Sequence, residues 1–158
     1  MGKSKGYEHL AQWVTFGLDQ ETYAMDVMQV REVRRYSDIA PVPGAPSYVL
    51  GIINLRGHVV AVLDTRERFG LMPMPVTDQS RIMMIEINQQ VIGVLVDRVA
   101  EVVSLNMAEI EPAPHVGNAE TAPFIQGVCH HQGQLLILVD FSKLLSPQQW
   151  ESVAERIE

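Results

Sequence analysis

Residues 51–64 read GIINLRGHVVAVLD, and residues 127–140 read GVCHHQGQLLILVD. Both stretches carry a glycine, a second glycine six positions on, and an aspartate seven positions after that. These are Gly51, Gly57 and Asp64 in the first, and Gly127, Gly133 and Asp140 in the second. HVVAVL fills the space between second glycine and aspartate in one copy, QLLILV in the other. A glycine able to take positive φ between two β-prone runs is a hairpin signal. An aspartate that ends a strand and opens a helical turn is an N-cap. The two stretches therefore read as one hairpin written twice, 76 residues apart, turning at Arg56-Gly57 and at Gln132-Gly133.

Further upstream the duplication continues. Val30-x-Glu32-Val33 returns as Val99-x-Glu101-Val102, and the turn residue Asp19 returns as Asn88, both 69 positions later. The seven residues by which the two offsets differ belong to the Ala108–Pro123 loop, which holds three prolines. Strands are expected at Gln12–Leu18, Thr22–Val27, Arg31–Tyr36, Gly51–Leu55 and His58–Leu63. In the second copy they are expected at Arg81–Ile87, Val91–Val96, Val99–Leu105, Phe124–His130 and Gln134–Val139. Helical turns are expected at Thr65–Phe69 and Phe141–Leu145. The last segment is helical, with Trp150, Val153, Ala154 and Ile157 on one apolar face. The fold class is mainly β, with five short antiparallel strands per half closing into a small barrel, because closure removes exposed edges. A half of roughly 75 residues is marginal for a core of its own. Two barrels packed face to face relieve that, and are expected to leave a groove between them.

The 158 residues carry twelve Lys+Arg against nineteen Asp+Glu, a net charge of −7. An acidic surface disfavours nucleic acid and anionic membranes as partners. The single cysteine, Cys129, allows no internal disulfide, which suits a reducing compartment. The opening MGKSKGYEHL has no apolar run of the signal-peptide kind, and the longest apolar runs are strand-sized rather than membrane-spanning.

Motifs for catalysis are missing. No glycine-rich turn feeds a helix as a phosphate loop would, and neither Gly-x-Ser-x-Gly nor His-Glu-x-x-His occurs. Cys129-His130-His131 is the nearest approach to a metal site. On a strand, Cys129 and His131 share a face and His130 points the other way, so a third ligand would have to come from His58 or His115. Asp64 and Asp140 read as caps rather than a catalytic pair, and the strand residues Glu32 and Glu101 as ion-paired or solvated. Met83 and Met84 point to opposite faces of one strand, at least one of them into a core. No catalytic residue, metal or cofactor is assigned.

Four segments resemble the CheW-like coupling proteins of bacterial chemotaxis. They are Pro46–Asp64 with its Asn-Leu-Arg-Gly turn, Tyr23–Val33, Val91–Val103 and Leu135–Leu145, in the family's order over about residues 10–147. The resemblance implies two five-stranded SH3-like β-barrels, intertwined as one domain over 10–147. A C-terminal helix at 148–158 and a flexible segment at 1–9 flank it. It implies a cytoplasmic, non-enzymatic adaptor, monomeric alone, that joins receptor arrays through its partners without entering the membrane. Those partners are the chemoreceptor cytoplasmic tip and the regulatory domain of a CheA-type histidine kinase. Val30, Glu32, Gly51, Asn54, Arg56 and Val99 fall at positions expected to meet them, with Glu32 and Arg56 paired beside the groove that takes the receptor tip. Arg34-Arg35, and His130-His131-Gln132 in place of Asn54-Leu55-Arg56, depart from the family pattern and affect partner identity. Two other readings remain open: a coupling protein of a non-flagellar pathway such as twitching motility, and a β-barrel ligand-binding protein or enzyme working in the groove.

Overall fold

The structure, a computed structural model, describes residues 10–113 and 122–157. Residues 1–9, residues 114–121 of the Ala108–Pro123 loop, including His115, and Glu158 lie outside the described residues. Ten strands are present: β1 (Leu10–Leu18), β2 (Glu21–Asp26), β3 (Val30–Arg35), β4 (Val49–Leu55), β5 (His58–Asp64), β6 (Arg81–Ile87), β7 (Gln90–Val96), β8 (Arg98–Asn106), β9 (Ile125–His131) and β10 (Gln134–Val139). A short helix α1 (Thr65–Arg68) follows β5, and helix α2 (Pro147–Ile157) closes the described chain. The caps are where the aspartates predicted them: Asp64 accepts from the Glu67 amide, and Asp140 from that of Ser142.

The strands form two five-stranded sheets, ordered β8-β1-β2-β10-β9 and β3-β6-β7-β5-β4. Neither sheet is one half of the sequence repeat. Each takes the first two strands of one copy and the last three of the other. The exchange keeps the repeat to the residue. Val30 pairs with Ile85 and Val99 with Phe16, each beside a bulge. Val62 pairs with Gly93 as Leu138 pairs with Ala24. These last two pairings are parallel, which corrects the all-antiparallel expectation. A parallel neighbour follows because the strand inserted beside β5 or β10 arrives from the other copy, with no hairpin to reverse it.

Each sheet curls until the chain beyond one edge meets the opposite edge. Ala40 bridges to Ile52 in the second sheet, and Glu111 to Val128 in the first. Gly51 and Gly127 make those closures possible. A Cβ on Gly51 would run into the Ala40 carbonyl, and one on Gly127 would sit 2.5 Å from the Glu111 carbonyl oxygen. The first repeated glycine is therefore a closure point, and the second, Gly57 or Gly133, is the turn.

Three apolar clusters result. One fills the first sheet's interior around Trp13, Leu136 and Leu138, and another fills the second's around Val62, Ile82 and Met84. The largest lies between the sheets and joins Phe16, Tyr23, Met83, Ile85, Phe141 and Trp150. Phe69 stacks on Phe124 at 4.5 Å and meets Tyr23 edge-on at 5.1 Å within it. Met83 and Met84 are both fully buried, on opposite faces of β6, one in each of two cores. The groove expected between the barrels is thus occupied by packed side chains, each worth about 2 kcal/mol of burial. Trp150 and Val153 of α2 add to the same cluster, and the Trp150 indole donates to the Ser142 carbonyl at 3.0 Å.

A buried ion pair also ties the sheets. Arg66 of α1, 8% exposed, donates from Nε to Asp97 Oδ1 at 2.9 Å and from Nη2 to Asp97 Oδ2 at 2.7 Å. It also reaches Asp19 Oδ1 at 3.2 Å and the Met72 carbonyl at 2.6 Å. Asp97 joins β7 of one sheet to β8 of the other, and its Oδ2 accepts the Asp19 amide of the β1–β2 turn at 2.7 Å. Burial alone would raise the Asp97 carboxyl. The Arg66 hydrogen bond, the Asp19 amide and the charges of Arg66 and Arg98 outweigh it and hold the group below the ordinary carboxylate range.

Gly51→Ala is expected to lower the unfolding free energy by about 2 kcal/mol or more, because a backbone carbonyl must move. Gly44→Ala, also at positive φ but with open space around it, is expected to cost only about 1 kcal/mol; urea titration compares them, and equal losses would contradict the closure role. A depressed carboxyl stabilises the fold above its unfolded value and loses that contribution as pH falls through the folded one. Wild-type stability should therefore drop below about pH 4, while Asp97→Asn should lose about 2 kcal/mol at pH 7 and show a flatter acid limb.

Candidate functional site

The β4–β5 hairpin tip presents the most informative group of exposed polar side chains. Its central residues Arg56 and Gly57 have φ of 51° and 84°, the positive pair that a two-residue hairpin of matching twist needs. Asn54 supports the turn: its Oδ1 accepts the Gly57 amide at 2.9 Å. The turn then projects Arg56 across the mouth of the curled sheet toward β3, the opposite edge. Arg56 Nη2 donates to Glu32 Oε2 at 3.1 Å, and Arg34 Nη1 lies 3.6 Å from Glu32 Oε1. The expected Glu32–Arg56 pair is present, and it exists because curling brings the two edges together.

The pair contributes little to stability. The Arg56 side chain is 74% exposed and that of Glu32 29%, and exposed pairs are worth about 0–1 kcal/mol. What it provides is a guanidinium held in direction by its bond to Glu32, beside a carboxylate shared by two arginines. Such a group can recognise a polar surface by complementary charge and fixed geometry.

The other site residues are placed differently. Val30 and Val99 are half-buried and pack against the core between the sheets. The bulge after Val30 is the reason: Val30 pairs with Ile85, which faces the shared core, whereas Glu32 pairs with Met84, which faces the sheet's interior. Gly51 is buried under Ala40. Glu32, Asn54 and Arg56 therefore form one surface cluster, and Val30, Gly51 and Val99 set the framework beneath. In the first sheet Glu101 and Gln132 hold the equivalent positions of Glu32 and Arg56, so the repeat carries an ion pair at one end only.

The Arg66–Asp97–Asp19 network was not singled out by sequence reasoning. It has no copy in the repeat, because Ser142 stands where Arg66 would recur. Cys129 is buried, and burial, helped by the charges of Glu109 and Glu111, pushes its thiol up, away from nucleophilic chemistry. His130 is exposed and His131 half-buried. Among the described residues no three His, Cys, Asp or Glu side chains gather as a metal site, and no helix is long and apolar enough to cross a membrane.

The comparisons with known proteins agree with this geometry. A sequence profile of the CheW-like domain matches residues 12–149. The chemotaxis protein CheW of Klebsiella aerogenes is 31% identical over 94% of this chain and 87% of its own. That of Bacillus subtilis is 31% identical over 88% and 89%. Protein FrzA of Myxococcus xanthus is 31% identical over 79% of each chain. The crystal structure of the scaffolding protein TtCheW from Thermoanaerobacter tengcongensis superposes with a TM-score of 0.80 at 33% identity, covering 88% of this chain and 94% of that one. With the profile spanning nearly the whole double repeat, the chain belongs to the CheW-like domain family.

Proposed function

We propose that this chain is a non-enzymatic adaptor that couples the cytoplasmic tip of chemoreceptors to the regulatory domain of a CheA-type histidine kinase. The observation that carries this reading is the likeness to chemotaxis CheW proteins over almost the full length of both chains. The adaptor works in the cytoplasm as a monomer that joins receptor arrays through its partners. Its mechanism is binding and geometry: one rigid body holds two partners at a fixed separation, so a change in receptor state shifts the population of active kinase.

The filled interface moves partner binding away from a groove between the barrels and onto outer surfaces. The Glu32–Asn54–Arg56 cluster is the surface best equipped for one partner. Its charges are pre-oriented by the hairpin and by the pairing across the sheet mouth. A coupling role in a related non-flagellar pathway is the second reading, since a coupling protein of either kind would share this family and fold. The identity of the receptor recovered separates the two.

The test is a pull-down from native membranes and cytosol with wild type, Arg56→Glu, and the double reversal Glu32→Arg/Arg56→Glu. Wild type is expected to recover a chemoreceptor and a CheA-type kinase. Arg56→Glu should weaken at least one by about tenfold, and the double reversal should be milder than the single one. A folded wild-type protein that captures neither partner contradicts the adaptor reading. A double reversal no milder than the single contradicts the role of the pair.

A further inference from the structure

The other end of the second sheet, away from Arg56, holds a hollow of about 310 Å³, within the size range of small-molecule sites. It opens between the ends of β3, β4, β5 and β7 under the loop that follows α1. Tyr36, Ile39, Leu50, Met74, Val76 and Leu95 supply its apolar walls. Its polar groups on the inner side are already engaged: Arg66 and Asp97 bind each other, and Asp64 caps α1.

The charge next to this hollow has no ion-pair partner among the described residues. A shallower depression shares Tyr36, Val76 and Ser80 with it and is lined by Arg35 and Arg81. These two arginines stand directly opposite each other across β3 and β6. Like charges in that relation repel and cost stability. The remaining β3 arginines are neutralised, Arg31 by Glu86 and Arg34 by Glu32. Among the described residues, no carboxylate forms an ion pair with Arg35 or Arg81. Asp78 lines the same depression, and what it contributes to Arg81 is its backbone carbonyl, which with that of Ser80 accepts from Nη1 at 2.8 Å. Those two bonds hold the Arg81 guanidinium in that depression, beside the hollow.

We propose that this hollow is a binding site for a small organic acid, with its apolar body under the loop and its carboxylate between Arg35 and Arg81. An anion there relieves the cross-strand repulsion and fills an apolar space that the chain leaves open. The site is independent of the adaptor role, since it lies at the opposite end of the sheet from Glu32 and Arg56.

Octanoate is the probe, with n-octanol as its uncharged counterpart, titrated into labelled protein and followed by amide chemical shifts. Octanoate is expected to shift the amides of Leu50, Val76 and Leu95 in a saturable way. Arg35→Gln, an exposed change that leaves folding intact, and Arg35→Gln/Arg81→Gln should weaken octanoate binding, the double variant by about tenfold. Both variants should leave the weaker response to octanol unchanged. No saturable shift, or shifts that map elsewhere, would overturn the site. Octanoate binding that is indifferent to both arginine changes would overturn the assignment of an acid as its ligand.

Discussion

Exchange of strands between the two copies of the repeat is the constraint on which the rest of the structure depends. Because β1 and β2 complete a sheet with β8, β9 and β10, the first copy cannot form its sheet without the second. The chain crosses from one sheet to the other between β2 and β3 and again between β7 and β8. Those crossings press the sheets together. The aromatic cluster between them and the Arg66–Asp97–Asp19 network seal the junction, one by burial and the other by hydrogen bonds that span it. Neither seal works without the crossings, since Asp97 is positioned by being a crossing residue.

A body built this way suits a function that depends on geometry. In an adaptor, information passes as relative position, and a joint that hinged between the sheets would lose it. The shared core packs the space between the sheets, and sheet edges and hairpin tips are among the surfaces left exposed for partners. There the two copies differ in side chain. Arg56 with Glu32 ends one sheet, and Gln132 with Glu101 occupies the matching place in the other. Identical backbone register with different side chains at the tips is an economical way to obtain two dissimilar docking faces from one duplicated plan.

Much of this was legible in the sequence because turns and apolar runs are local signals. Gly57 and Gly133 announced hairpins, Asp64 and Asp140 announced caps, and the matched spacings announced a duplication that the register preserves. The Glu32–Arg56 pair was also expected, from opposite charges at two positions that the resemblance to CheW-like proteins marks for partner contact. What could not be read was long-range. Nothing local distinguishes a copy that closes on itself from one that exchanges strands, so the parallel β5–β7 and β10–β2 neighbours were missed. The bulge that turns Val30 away from Glu32 shifts the face of a residue without any composition signal. Gly51 read as a hairpin glycine because its reason for being glycine, the Ala40 carbonyl, lies eleven residues upstream across a closure. Arg66 was invisible because its partners Asp97 and Asp19 come from distant turns.

Native-state hydrogen exchange across both sheets tests the central claim, that strand exchange makes the two sheets one cooperative unit. With rising denaturant, the most protected amides of β2 and β10 in one sheet and of β5 and β7 in the other should converge on a single opening free energy, equal to that of global unfolding. Exchange from one sheet at a distinctly lower free energy, while the other stays protected, would show that the sheets open independently and would contradict the account.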